Sequence, residues 1–208
     1  MMMLDRYKLV IFDWDGTLST STSIVRAARF TKLRYSLQDI EKNMHLYKQH
    51  EVEDNIEVEE INRFYALIFD LYSVFAKPKL KDGVIDMLKA LKKKGKKVAI
   101  FSDSNRYRLY SETKKLGVRK YADWILSADS IKKFKPNPSG ILAIMKRYNM
   151  KKKDCIYLGD MAADVYTARF AGIDACAIAD GVDPYSLLRS VKPKYLKRSI
   201  KELLKNVP

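Results

Sequence analysis

Apolar and polar positions along the chain fall into three regimes. Leu9, Val10, Ile11 and Phe12 form a short continuous apolar run after Lys8, the pattern of a strand buried on both faces of a parallel sheet. That run ends in a carboxylate-rich turn, Asp13 to Leu18. From about Ser19 to Lys79 the spacing becomes helical, clearest where Ile61, Phe64, Tyr65, Ile68, Tyr72 and Phe75 recur at i, i+3, i+4, i+7, i+11 and i+14. A helical module over residues 19–79 is therefore expected.

After Pro78 helix and strand alternate. Asp82 is placed to cap a helix whose apolar face is Val84, Met87, Leu88 and Leu91, with Gly95 to end it. A buried strand over Lys97–Phe101 leads to a helix from about Arg106 that stops at Gly117, and a short strand follows around Trp124–Leu126. Ile141, Ile144, Met145 and Tyr148 share one helical face ahead of the strand Cys155–Leu158. A helix from about Ala162 to Gly172 then precedes a fifth strand, Ala175–Ala179. Strands alternating with helices of this length call for an α/β fold, a parallel sheet with right-handed crossovers and helices on both faces. Such sheets bind ligands beyond the carboxyl ends of their strands, where strand order reverses. Asp13, Ser102 and Asp160 lie at those ends.

A chain of 208 residues has room for one buried core and a small accessory module. The first thirty residues lack a basic start, apolar run and small-residue cleavage site, and no apolar stretch reaches the length of a membrane span, so a soluble, cytoplasmic protein without a membrane partner is expected. Cys155 and Cys176 stand singly in apolar runs and read as core residues. His45 and His50 lie on a polar segment without a third ligand nearby, which argues against zinc. The net charge of +15 raises nucleic acid as a partner, but the lysines gather in short groups at helix ends and loops: Lys92–Lys94 with Lys96 and Lys97, Lys132, Lys133 and Lys135, and Lys151–Lys153. A solvated basic surface is the favoured reading over a nucleic-acid groove, and either would attract a small anionic phosphate ester.

Four segments carry candidate chemistry. In Asp13-Trp14-Asp15-Gly16-Thr17-Leu18, two carboxylates two residues apart at a strand end can divide nucleophilic and proton-transfer work. Ser102, with Asp103, Ser104 and Asn105, offers a hydroxyl and the donors of a helix start to phosphate oxygens, although the same residues are ordinary helix caps. Lys135-Pro136-Asn137-Pro138 can present a point charge from a rigid turn, or be one more surface lysine. In Gly159-Asp160-Met161-Ala162-Ala163-Asp164 the two acids lie one helical turn apart and suit a hard cation such as magnesium; alternatively Asp160 only caps the helix.

Together, in this order, the four segments resemble the haloacid dehalogenase superfamily, phosphatase branch, of the phosphoglycolate phosphatase-like kind. The resemblance covers most of the chain outside residues 19–79. It implies a Rossmann-like three-layer core from residues 1–18 and 80–208, strand order 3-2-1-4-5, and a small α-helical cap domain over residues 19–79. It also implies a Mg2+-dependent phosphatase acting on a small phosphorylated metabolite. Asp13 would be the nucleophile, forming an aspartyl phosphate, and Asp15 the general acid and base. Ser102, Asp103 and Lys135 would bind phosphate. Asp13, Asp15 through its backbone carbonyl, Asp160 and Asp164 would hold the metal. An acid at position 15 favours phosphoryl transfer over carbon–halogen cleavage, while Phe134 departs from the glycine that often precedes the lysine. Arg26, Arg29, Arg34 and Tyr35 are candidates for leaving-group contact from the cap. A sugar phosphomutase, a nucleic-acid end phosphatase and a noncatalytic binding module are the alternatives.

Overall fold

The structure, a computed structural model, describes residues 3–20 and 77–204. The expected helical cap, its candidates Arg26, Arg29, Arg34 and Tyr35, and both histidines lie outside the described residues.

Strand β1 (Leu9–Phe12) is wholly buried, and its residues alternate between two cores. Leu9 and Ile11 face one, Val10 and Phe12 the other, as the period of two demands. The same alternation runs through β4 (Lys97–Ser102), β6 (Cys155–Gly159) and β7 (Asp174–Ile178). Both expected buried cysteines sit there, Cys155 in one core and Cys176 in the other. Helices α4 (Ser139–Arg147) and α5 (Ala162–Ala171) cover the first face with Ile141, Ile144, Met145, Val165 and Tyr166. Helices α1 (Val84–Lys93), α2 (Arg106–Lys115) and α7 (Ile200–Leu204) cover the second, with Met87, Leu88, Leu91, Leu109 and Leu203. The result is three layers around a sheet dry on both sides.

Sheet order is β5-β4-β1-β6-β7-β8, every pair parallel, where β5 is Trp124–Ser127 and β8 is Tyr195–Lys197. The five expected strands take the expected order. β8 is an addition at the edge: its three residues are only partly buried, so it lacks the apolar run that marks the others. Phe12 pairs with Ile100 on one side and Leu158 on the other, which brings the carboxyl ends of β1, β4 and β6 level. Strand order reverses at β1, and Asp13, Ser102 and Asp160 lie at that reversal.

Two local expectations differ. The cap of α1 is Gly83 in the left-handed region, not Asp82, and it makes no side-chain cap hydrogen bond. At the ends of the 19–79 segment, β2 (Ser19–Thr20) and β3 (Lys79–Leu80) pair as a short antiparallel ribbon, so the chain leaves and re-enters the core side by side. Two short helices, α3 (Ala128–Ile131) and α6 (Tyr185–Ser190), complete the described elements apart from brief 3-10 turns. No helix among the described residues is long and apolar enough to cross a membrane.

Candidate active site

The sequence motifs meet above β1. Carboxylate oxygens of Asp13, Asp160 and Asp164 all lie within 4.8 Å of one another, and all three residues are buried. Asp13 follows β1, Asp160 follows β6, and Asp164 sits in the first turn of α5, so β6 and the helix after it deliver two acids to the end of the strand beside them. Lys135 joins them from the loop before α4. Its Nζ is 2.8 Å from Asp13 Oδ1 and 2.8 Å from Asp164 Oδ1, and its side chain is only 7% exposed, which rules out the plain surface lysine.

Each acid is aimed by fixed donors. Asp160 accepts the Thr17 hydroxyl at 2.8 Å on Oδ1 and the Val182 backbone N–H at 2.7 Å on Oδ2. Asp164 accepts the Tyr157 hydroxyl at 3.2 Å on Oδ1 and the Met161 N–H at 2.9 Å on Oδ2. The N-cap of α5 is Met161, so the cap role considered for Asp160 falls partly to Asp164, which closes the first turn from inside the helix. Asp13 Oδ2 receives no hydrogen bond from any described residue. Close backbone approach makes room for the cluster: a Cβ on Gly16, where φ is +80°, would lie 2.2 Å from Asp160 Oδ2, and one on Gly181 would lie 2.1 Å from the same atom.

The electrostatics follow from burial. Loss of water lifts Asp13 well above the usual carboxylate range, with Asp164 and Asp160 adding to the lift against the pull of Lys135. Burial, reinforced by Asp164, pushes Asp160 up to about 7 despite its hydrogen bonds and the distant charge of Lys81. Burial also opposes the charge on Lys135, but Asp13 and Asp164 outweigh it and hold the ammonium well above its ordinary value. Three carboxyl groups face one ammonium, so with all of them ionised the cluster would carry more negative charge than Lys135 can neutralise. Oxygen donors alone, buried, converging and in carboxylate excess, fit a hard divalent cation such as Mg2+.

The second carboxylate of the first motif is held apart from that cluster. Asp15 accepts both terminal nitrogens of Arg108, with Nη1–Oδ1 at 3.0 Å, and the hydroxyl of Ser104. Burial would raise it, yet Arg108 and Ser104 prevail and keep it below the usual range. Its side chain is not among the three acids that could share an ion. Ser102, at the end of β4, donates to Ser104 Oγ at 2.9 Å and is buried. The carboxylate of Asp103, a residue expected to bind phosphate, accepts the backbone N–H of Lys135 at 3.1 Å. Its carboxylate, raised to about 6 by burial, orders the lysine's loop.

Several residues in this network carried no clear sequence signal. Thr17 was within reach, being the threonine of the first motif. Arg108 and Glu112 lie on α2 with no spacing that marks them. Tyr157 reads as a core strand residue, and only its hydroxyl, shared between Phe101 O at 3.0 Å and Asp164, sets it apart. Lys81 reaches from the residue after β3 to the Gly16 carbonyl and the Asp180 carboxylate. Asp183 Oδ2 takes the Ala162 N–H at 2.8 Å and so anchors the start of α5.

Comparison with known proteins gives the family and the fold. A family model described as haloacid dehalogenase-like hydrolase matches residues 10–178. The chain is similar to phosphoglycolate phosphatase 1 of Pseudomonas aeruginosa, 26% identical over 152 residues, covering 73% of this chain and 56% of that protein. It is also similar to pyrophosphatase PpaX of Halalkalibacterium halodurans, 28% identical over 123 residues, covering 59% and 57%. The chain thus spans less than three-fifths of the length of these curated relatives. Among solved structures, a predicted phosphoglycolate phosphatase from Haemophilus somnus superposes with a TM-score of 0.71 at 19% identity, covering 96% of this chain and 97% of that one. A HAD family hydrolase from Deinococcus radiodurans, with bound phosphate and sodium, gives 0.67 at 19% identity, covering 96% and 94%. At these identities the structural likeness speaks for the fold.

Proposed function

Since the chain belongs to the haloacid dehalogenase-like hydrolase family, we propose that it is a Mg2+-dependent, cytoplasmic phosphatase that hydrolyses a small phosphorylated metabolite through an aspartyl phosphate on Asp13. The observation that carries this reading is the convergence of Asp13, Asp160 and Asp164 on one point, with Lys135 bridging two of them.

In this reading Asp13, Asp160 and Asp164 hold the metal with their carboxylates, and Asp15 adds its backbone carbonyl. When bound, Mg2+ supplies positive charge to the phosphoryl oxygens and to the nucleophile's surroundings. The chain's own residues do the rest. Lys135 offsets the repulsion between an anionic nucleophile and an anionic ester, and it fixes the rotamer of Asp13 by holding Oδ1. Ser102 and the backbone N–H groups that open toward α2 take phosphoryl oxygens. Asp13 attacks phosphorus, and the ester oxygen leaves with a proton from Asp15. Water then attacks the aspartyl phosphate, giving its proton back to Asp15.

The test is release of inorganic phosphate from a panel of phosphate monoesters and phosphoanhydrides with and without Mg2+. Phosphoglycolate and pyrophosphate belong in the panel, as the substrates in the names of the relatives above. Stoichiometric phosphate release separates hydrolysis from phosphomutation. Asp13→Asn is expected to remove turnover while the circular dichroism spectrum persists; turnover in the pure variant above about 1% of the parent would contradict nucleophilic catalysis, whose removal costs orders of magnitude.

A further inference from the structure

Asp15 is held by more than proximity. A carboxylate offers about four acceptor positions, two on each oxygen. Oδ2 has both in use, by Arg108 Nη2 and Ser104 Oγ. Oδ1 has one in use, by Arg108 Nη1 at 3.0 Å. Among the described residues, one position on Oδ1 is all that remains.

Arg108 is itself braced. Its Nη1 also reaches Glu112 Oε1 at 3.3 Å, one turn along α2, and Glu112 Oε2 accepts the indole N–H of Trp14 at 2.7 Å. Trp14 stands between Asp13 and Asp15 in sequence and is fully buried. The guanidinium is thus clamped between two carboxylates, one of them tied back to the first motif, with a side chain only 10% exposed. A planar fork gripped at both ends fixes the plane of the Asp15 carboxylate as a single ammonium would not.

We propose that Arg108 is the positioning residue for the second half of the reaction, aiming Oδ1 of Asp15 at the water that releases phosphate from Asp13. This rests on the phosphatase reading above. In that step the water O–H bond breaks as the new O–P bond forms, the proton goes to Oδ1, and the O–P bond to Asp13 breaks with its electron pair returning to the Asp13 carboxylate. No other reactant is needed. An aryl phosphate has a leaving group that departs without a proton, so its first step does not call on Asp15 positioning. Loss of Arg108 therefore shows in the second step alone.

The experiment is rapid-quench and steady-state kinetics of the Mg2+-loaded protein with p-nitrophenyl phosphate, on the parent, Arg108→Ala, Arg108→Lys and Asp13→Asn. Arg108→Ala is expected to show a burst of p-nitrophenolate near one equivalent per active site, then a steady state slower by about 10²-fold, the lower range of what a positioned base supplies. KM falls with kcat, so kcat/KM stays within a few-fold of the parent. Arg108→Lys keeps a charge opposite Glu112 but loses the fork, and it shows the same burst with a smaller deceleration, which serves if the alanine variant fails to fold. A proportional fall in kcat and kcat/KM without a burst, in either folded variant, overturns the role assigned to Arg108 and leaves the nucleophile intact. Turnover by Asp13→Asn overturns both.

Discussion

Two pairs of acids at opposite ends of the same sheet are treated in opposite ways. At the amino ends, Asp123 before β5 is paired with Lys92 at 2.6 Å and accepts the Val98 N–H at 2.8 Å, and Asp174 at the start of β7 is paired with Lys194 at 2.6 Å and takes the Tyr7 hydroxyl at 2.6 Å. For both acids modest burial is outweighed by these partners, which hold them below the usual carboxylate range. At the carboxyl ends, burial wins and lifts Asp13 and Asp160 above it. The amino-end acids are satisfied by the protein and add to its stability. Asp13 and Asp160 are not satisfied by the protein in this way, a cost the fold tolerates at the cluster proposed above to hold a cation.

The sharpest way to break this contrast is to remove one buried charge. Asn in place of Asp160 keeps an acceptor for the Val182 N–H and can turn its amide to Thr17, so shape and hydrogen bonds survive while the charge goes. In chelator the variant is expected to melt about 2–4 °C higher than the parent, the shift that about 1 kcal/mol makes in a protein of this size. Phosphatase activity at saturating Mg2+ is expected to fall by at least about 100-fold, the upper range for loss of a ligand's support, if Asp160 ligates the metal as proposed. Calorimetry in chelator and a phosphate-release assay check the two halves. A variant that melts lower in chelator would mean Asp160 is a stabilising acid like those at the amino ends.

A smaller change tests whether the cluster's compression matters. Gly181→Ala places a methyl 2.1 Å from Asp160 Oδ2 and 2.5 Å from its Cγ, so either the loop after β7 or the carboxylate must move. Mg2+ affinity, read by titration of activity or by isothermal calorimetry, is expected to weaken by about 10-fold or more, the usual cost of disturbing the support of a metal ligand. The corresponding change at Gly95, where a Cβ meets nothing within 4 Å, leaves affinity unchanged.

How much of this was legible in the sequence depends on whether a residue's job is local. The five main strands announce themselves because both faces of a parallel sheet are dry, and the motif acids because Asp at the end of an apolar run has no structural reason to be there. β8 was missed because an edge strand with three half-buried residues carries no such run. Asp82 looked like a cap because cap preference is a statement about side chains, whereas α1 opens on a left-handed glycine. Arg108, Glu112 and Lys81 were invisible for a different reason. Their partners lie 93, 98 and 65 positions away, at Asp15, Trp14 and Gly16, and no pattern along α2 or after β3 encodes a contact that only the sheet order creates. The contact between the Asp103 carboxylate and the Lys135 backbone is of the same kind, since its place beside Ser102 does not announce a partner 32 positions away.

The least disruptive test takes one acid from the amino end. Asp123→Asn keeps the acceptor for the Val98 N–H and loses the charge facing Lys92 and Lys97. Asp123 has its folded value depressed below 3.8, so the native state binds its proton more weakly than the unfolded chain does. Its stabilisation is therefore present in full above the unfolded value and is lost as pH falls through the folded one. Urea unfolding at pH 6 is expected to show the variant less stable than the parent by a few tenths of a kcal/mol, the scale of a solvent-screened pair. As pH falls through the folded value the two curves are expected to converge, because the parent's carboxyl then takes up its proton. A gap that persisted or widened in acid would place the contribution of Asp123 in its shape and hydrogen bonds, and the difference between the two ends of the sheet would then owe less to charge than to packing.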